Sequence, residues 1–407
     1  MTMAVEIRPC RDRDELADYG KIVSYVFAST EGMEEELATT QPEWTTCAFV
    51  DGRMATTLGA YPFTVRLNGA PVPMGGVTAV GTLPEFRRRG LLRQVMRQAF
   101  ETMRDRGQDF AILLASMGAI YQRFGYGLAC SYIRYEFDPR FAAFETTAPA
   151  PGSVTMMTPD EAFPIIKQLY IRWATPRNLA IHRSTDLWRA GRLRPRKKDE
   201  PVYVAVYRDA DGEPQGHAVY QTHEEHGSAP GPDQALTVRD FIALNIEAYR
   251  ALWEYIRSHD LVGQVRTAGC VGEDDPAPDL LLEPRMLNRY VGDHIWMRVV
   301  DVERGLARRP YGTRGELAFE VAEDGLCPWN KGTYLLETDG PTASVTRTAR
   351  APELVIPLNT LASLVAGYRT ATHFARIGRL EARDQSALAR ADALFRTEYP
   401  PHCPDSF

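Results

Sequence analysis

The sequence has no run of about 18 apolar residues, so it offers no segment able to cross a bilayer as a helix. It also lacks long blocks of like charge. Its 47 basic and 53 acidic residues leave a net charge of only -6, which argues against a nucleic-acid or anionic-membrane surface. The six cysteines (Cys10, Cys47, Cys130, Cys270, Cys327 and Cys403) form no C-x-x-C pair and share no zinc-ligand spacing with histidine. Small buried or half-buried side chains are expected of them, with no metal. His223 and His226 lie three apart, not four, so they cannot share a helical zinc face, and a solvated loop is expected there. Near the N-terminus, Glu6 and Arg8 stand where a secretion signal needs apolar residues. A cytoplasmic protein is the expectation.

What is present is ordinary globular material on a large scale. The 407 residues, 44% hydrophobic and 25% charged, are enough for several domains of about 100–200 residues each. Apolar positions at helical spacing predict a helix over Arg13–Phe27. Strands are predicted at Thr46–Val50, Met54–Pro62, Phe63–Leu67 and about Gly76–Leu83, with Asn68-Gly69 as a hairpin turn. After Pro84 and the turn Arg87-Arg88-Arg89-Gly90 comes one apolar stripe, Leu91, Leu92, Val95, Met96, Ala99, Phe100 and Met103, with Gly107 as its stop. A buried strand, Phe110–Ser116, follows, which makes a β-α-β unit whose first turn is the usual ligand position of an open α/β sheet.

Composition shifts to Thr, Ala, Pro and Gly around Thr146–Pro151, a linker signal. Strands at Val202–Tyr207 and His217–Thr222 then flank Asp211-Gly212, residues 227–232 read as a flexible loop, and Leu236–Leu244 leads to a helix over Ile246–Ser258. This repeats the earlier strand, turn and helix. Its turn, Ala243-Leu244-Asn245-Ile246, has neither arginines nor glycine and should not hold a phosphate. From about Asp293 the pattern changes: His294–Val302 suggests a strand running into a helix, Gly315–Val321 and Gly332–Glu337 suggest sheet, and helices are expected at Leu358–Ala366, His373–Ile377 and Ala387–Phe395. The proline-rich end, Tyr399 to Phe407, is expected to be an extended tail.

A strand-to-helix turn offers unpaired N–H groups and the positive end of the helix dipole. Gly90 lets a ligand approach the backbone, and Arg88, Arg89 and Arg93 can add charge. This turn resembles the pyrophosphate-binding turn of GNAT acyltransferases, although Leu92 stands where that pattern has a small residue. It matches in full the R-R-R-G, Leu or Val, L-R string of the narrower Eis-type GNAT proteins. Ser116-Met117-Gly118-Ala119-Ile120-Tyr121-Gln122-Arg123-Phe124-Gly125-Tyr126 resembles a second Eis-type segment, with Met117 in place of its usual acidic residue. The chain also ends in an aromatic residue, Phe407, as such proteins do.

The resemblance implies an α/β (α+β) chain of two tandem GNAT-like domains, 1–148 and 149–292, the second without a phosphate turn, and a sterol carrier protein-like domain, 293–407. It implies transfer of an acetyl group from acetyl-CoA to an amine of a small cationic substrate such as an aminoglycoside, or to a lysine. A degenerate, non-catalytic CoA- or lipid-binding protein is the alternative. By resemblance, acetyl-CoA would meet Arg88, Arg89, Gly90, Leu91, Leu92 and Arg93 through its phosphates. Its pantetheine arm would meet Val80, Gly81 and Thr82 on one side of a splay between strands, and Ser116 and Met117 on the other. Tyr121 is implied as proton donor to the thiolate, with Tyr126 as the competing tyrosine. The Phe407 carboxylate is implied as the opposite group. A terminal carboxyl of about 3.3–3.7 is too acidic to take an ammonium proton unaided, so it must act buried, through water or by electrostatic stabilisation. No metal is implied, and the assembly expected by resemblance is a homo-oligomer, a hexamer.

Overall fold

The computed structural model describes residues 4–30, 33–145, 150–195, 200–225 and 231–407. Most of the expected linker (146–149), His226 and most of the 227–232 loop lie outside the described residues. The chain divides into two compact units: 1–130 with 294–401 and Phe407, and 131–293 with 402–406. No described helix is long and apolar enough to cross a membrane.

In the first unit, helix Arg13–Phe27 starts where the Asp12 side chain accepts the Glu15 N–H and stops at Ala28 in the left-handed conformation. Asn68 and Gly69, with φ of 50° and 87°, join strands Arg53–Leu67 and Ala70–Thr82 as the sequence predicts. The two strands expected between Met54 and Leu67 are in fact one, running straight through Pro62. Pro62 pairs with Gly75 on one side, while the partner strand on the other side, Cys47–Val50, has already ended. The missing N–H therefore costs no ladder bond.

The sheet runs in the order Val5–Arg8, Cys47–Val50, Arg53–Leu67, Ala70–Thr82, Phe110–Leu114, Ile295–Val299, Gly127–Leu128. Its parallel pair, Ala70–Thr82 with Phe110–Leu114, is linked by helix Leu91–Asp105. That helix buries Leu91, Val95, Met96, Ala99, Phe100 and Met103 and ends at Gly107, φ 71°, with the Gln108 N–H on the Met103 carbonyl. The expected buried strand stops at Leu114, two residues short of Ser116.

Ile295–Val299 fills the gap between Phe110–Leu114 and Gly127–Leu128, antiparallel to both. Helix Val302–Ala307 follows, capped by Asp301. A five-stranded sheet, including Gly315–Val321 and Gly332–Thr338, then packs with helices Leu358–Val365, Ala371–Arg376 and Ser386–Phe395. Arg298 ties this part to the first sheet. It reaches the Phe124 carbonyl and grips both oxygens of Asp324 at 2.8 and 2.7 Å, while Asp324 accepts the Leu326 and Cys327 N–H groups.

The second unit repeats the theme. Its sheet runs Glu136–Phe137, Val262–Thr267, Gln234–Ala243, Pro214–Glu224, Tyr203–Arg208, Ser153–Met157. Its parallel pair, Gln234–Ala243 with Val262–Thr267, is linked by helix Ile246–Arg257. Helix Pro159–Ala174 begins with a complete capping box of Thr158 and Glu161. His223 does not sit in a loop: it and Glu224 close a strand by pairing with Ala235 and Gln234. Cross-strand bonding extended past the alternating apolar segment that the sequence suggested. All six cysteines are buried and none forms a disulfide, with Cys10 and Cys47 sulfurs 3.9 Å apart. No metal-binding group is found among the described residues.

The Arg298 and Asp324 side chains are only 1% and 2% exposed. Asp324→Ala leaves a buried guanidinium uncompensated, and we expect it to cost about 3–5 kcal/mol in chemical unfolding. A loss below about 1 kcal/mol would show that the pair does not hold these segments together.

Candidate active site

The parallel ladder sets the opening. Met74, Gly75, Gly76 and Val77 pair with Phe110, Ala111, Ile112 and Leu113, and there the pairing stops. Strand Ala70–Thr82 nevertheless continues for five residues, held only on its other side by Arg53–Leu67. The cause is a bulge. Thr57 faces Gly81 and Gly59 faces Thr78, so Leu58 opposes both Ala79 and Val80, and Ala79 takes φ 51°. The Thr57 hydroxyl donates to the Ala79 carbonyl at 2.8 Å and fixes the kink. The Val80–Thr82 edge therefore parts from Phe110–Leu114, whose continuation carries the exposed Ser116 and Met117. Gly81 is closely packed: a Cβ there would lie 3.1 Å from Val26, which would have to shift to admit it.

The basic turn closes one end of this opening. A short 3-10 turn, Pro84–Phe86, leads to Arg87, whose Nε donates to the Thr82 carbonyl at 3.0 Å. Arg88 and Gly90 adopt φ of 63° and 77°, and Arg87 to Gly90 are all exposed. A Cβ on Gly90 would meet nothing within 4 Å, so the left-handed backbone, not crowding, asks for glycine. Gly90 caps helix Leu91–Asp105 without any side-chain bond, which leaves first-turn N–H groups facing out. Arg89 lies 5.6 Å from the Phe86 ring. Arg93 points elsewhere: its guanidinium donates to the Gly325 carbonyl at 2.9 Å. Leu91 is buried under the helix and Leu92 is half-buried in the same apolar cluster. Such a turn can hold a polyanion by N–H groups, dipole and guanidinium charge together.

Tyr121 lies on the short helix Gly118–Gln122, just beyond the parted strand, and is 6% exposed. Its hydroxyl has no hydrogen-bond partner among the described residues, and burial pushes it up to about 12. It is therefore a neutral phenol, able to donate, throughout the neutral range. Tyr126 meets it edge-on at 5.9 Å and is completely buried, with its hydroxyl unpaired. Of the two tyrosines, only Tyr121 keeps any exposed surface.

The last residue of the sequence reaches the same strands. The Phe407 ring packs edge-on against Phe63 at 4.9 Å. A Cβ on Gly76, one position before the ladder ends, would lie 3.3 Å from Phe407 and would collide with Phe63. Phe63 continues a row of half-buried rings, Tyr61 at 5.9 Å and then Trp44 at 5.9 Å from Tyr61. Sequence reading missed this row. The signal was the two-residue spacing of Tyr61 and Phe63, which puts both on one face of a strand.

The second unit holds residues 402–406 by buried charge. Asp405 accepts from Arg183 Nε at 2.9 Å, and the same guanidinium grips Asp240 at 2.8 and 2.9 Å. Arg192 approaches Asp405 at 3.5 Å, and His217 meets Asp240 at 3.0 Å. Tyr170 and Trp188 cover the Arg183 guanidinium at 3.8 and 4.4 Å from their ring centres. Burial alone would raise the Asp240 carboxyl; Arg183, aided by His217, overrides it and holds the group far below its ordinary range. Arg183, Asp240 and Asp405 are too far apart along the chain for any local sequence signal.

The fold is that of an acyltransferase. A GNAT acetyltransferase domain matches residues 6–129, a second matches 179–300, and a sterol carrier protein domain matches 302–404. An uncharacterized N-acetyltransferase of Streptomyces griseus is 32% identical over 422 aligned positions, covering 100% of both chains. The N-acetyltransferase Eis of Mycobacterium tuberculosis is 29% identical over 347, covering 81% of this chain and 79% of its own. The crystal structure of Eis1 from Mycobacterium abscessus superposes with a TM-score of 0.85 at 28% identity, over 99% of this chain and 100% of that one. A GCN5-related N-acetyltransferase from Anabaena variabilis shares the fold, with a TM-score of 0.87 at 23% identity over 99% and 100%. The chain belongs to the Eis-type GNAT N-acetyltransferases.

The depressed Asp240 carboxyl gives the tail clamp a pH dependence. Its stabilisation is complete above the unfolded carboxyl value of about 3.9 and is lost progressively as pH falls below that. Protection of the amides at residues 402–406, meaning exchange corrected for its intrinsic pH dependence, should therefore fall below about pH 4 and stay flat between about pH 5 and 8. Loss of protection on raising the pH instead would contradict the assignment.

Proposed function

We propose that the opening in the first unit takes acetyl-CoA and passes its acetyl group to a primary amine of a small polycation, with an aminoglycoside as the first substrate to test and a lysine side chain as the next. The observation that carries this reading is the strand that outruns its parallel partner and ends in a basic turn. Its edge at Val80, Gly81 and Thr82, of which the Thr82 carbonyl is already bonded by Arg87, suits the amides of pantetheine, facing Ser116 and Met117. Arg88, Arg89, Gly90 and the N–H groups at Leu91, Leu92 and Arg93 suit the phosphates. Arg93 would exchange its bond to Gly325 for the ligand, or act by charge alone.

In the reaction a neutral amine attacks the thioester carbonyl; the C–N bond forms and the C–S bond breaks. The nitrogen sheds a proton and the leaving sulfur gains one. Tyr121 stands for the donor to sulfur. At about 12 against roughly 8.5 for a thiol, outright transfer to a free thiolate is uphill. The phenol therefore works chiefly by hydrogen-bonding the sulfur as its charge grows, the proton following as the amine gives up its own. The Phe407 carboxylate stands for the acceptor side, holding the ammonium and relaying its proton, and the aromatic row of Trp44, Tyr61 and Phe63 offers ring faces to a cation. Met117 replaces an acidic residue of the family pattern, so one attraction for the cation is lost there.

The same proposal keeps the segments 1–148, 149–292 and 293–407 as domains, a homohexamer as the assembly, and the cytoplasm as the location. Sedimentation of the full chain tests the hexamer.

Tyr121→Phe should lower kcat about 10²–10⁴-fold with little change in the KM for acetyl-CoA. Full activity in that variant would remove Tyr121 as the donor. Residues appended after Phe407 should slow turnover far more than the same residues added before Met1; equal rates would count against the carboxylate. Arg88→Ala with Arg89→Ala should raise the KM for acetyl-CoA about ten-fold or more and weaken its salt dependence. An unchanged KM would place the phosphates elsewhere.

A further inference from the structure

The second unit repeats the parting of strands but not the basic turn. Gln234–Ala243 and Val262–Thr267 pair only as far as Val238 with Thr267, and the first strand continues to Ala243. Beyond its end lies a cavity of about 260 Å³, outside the carboxyl edge of the parallel strands, where open α/β sheets hold ligands. Its turn carries no arginine, and Asn245 already caps the following helix by accepting the Ala248 N–H at 2.8 Å. A phosphate is poorly served there.

The walls suit something else. Trp173, Phe241 and Tyr249 supply aromatic surface, and Asp275 lines the same space. One oxygen of Asp275, Oδ1, takes three donors: the Tyr135 and Tyr249 hydroxyls at 3.1 and 2.9 Å and the Ala277 N–H at 3.1 Å. The other, Oδ2, has no partner among the described residues. Arg177 does not neutralise Asp275. It pairs with Asp274 at 3.3 Å and lies over Trp173 at 4.4 Å. Burial pushes Asp275 up to about 6, the mark of a carboxylate that is ionised at neutral pH without a cation of its own. Three neutral donors fix its direction and leave its charge uncancelled, a state that a bound cation relieves.

We propose that this cavity is a second ligand site, for one small organic ammonium carrying an apolar group, its N–H on Asp275 Oδ2 and its apolar part between Phe241, Tyr249 and Trp173. It is lined by none of the residues assigned to acetyl transfer, so it stands or falls separately from that reaction.

The probe is N,N-dimethylbenzylamine, a tertiary amine that acetyl transfer cannot consume, titrated calorimetrically into the full-length protein at pH 7.5. Benzyl methyl ether is its neutral counterpart. We expect the amine to bind and the ether to bind at least about ten-fold more weakly. Asp275→Asn should weaken the amine about ten-fold or more and leave the ether and the acetyl-transfer rate unchanged. Ala243→Trp, which fills the cavity wall, should abolish binding of both. If Asp275→Asn fails to fold by thermal melting, the ether comparison and Ala243→Trp decide. Equal binding of amine and ether, no amine binding up to about 10 mM, or undiminished amine binding in a folded Asp275→Asn or Ala243→Trp protein would each overturn the proposal.

Discussion

Backbone N–H and C=O groups in a packed protein must find partners, and the strand Ala70–Thr82 is built so that some of its own cannot find them within the sheet. The bulge at Ala79 turns the last residues away from Phe110–Leu114 while the other edge stays paired. The sheet thus ends in an unmet hydrogen-bonding demand, and the helix and turn that follow put positive potential beside it. An extended polyanionic ligand meets both conditions at once. The buried stripe of helix Leu91–Asp105 packs beneath those strands, and the Arg298 to Asp324 pair fixes the neighbouring strand Ile295–Val299.

Charge is handled differently in the two units. In the first, the arginines of the turn stay exposed, where little desolvation opposes binding. In the second, Arg183 is removed from water altogether and is tolerated because Asp240 and Asp405 neutralise it and two aromatic faces cover it. Through Asp405 the same buried guanidinium anchors residues 402–406. Asp275 in the same unit shows the reverse, a carboxylate oriented by hydroxyls with no ion-pair partner among the described residues.

Legibility in the sequence followed the range of the interactions concerned. Helix Leu91–Asp105 could be read residue by residue, because its stripe, basic face and terminal glycine are local properties. The turn Arg87–Gly90 could be found for the same reason, and the strand–turn–helix repeat in the second unit came from the same periodicity. Pro62 misled, since a proline normally ends a strand unless its neighbour has already gone, and that depends on a partner elsewhere in the chain. The place of His223 in a strand also depended on its partner, Ala235.

Composition and periodicity by themselves determined the class of fold, the repeated β-α-β plan and the position of a basic strand-to-helix turn, because helical and strand spacing are written in neighbouring residues. Only the tertiary structure decided that Ile295–Val299 completes a sheet begun nearly three hundred residues earlier, that Gly76 makes room for Phe63 and Phe407, and that Arg183 sits between two aspartates. Those pairings join residues whose separation along the chain carries no periodic signal, and they form only when burial makes an unpaired strand edge or an uncompensated charge too costly to keep.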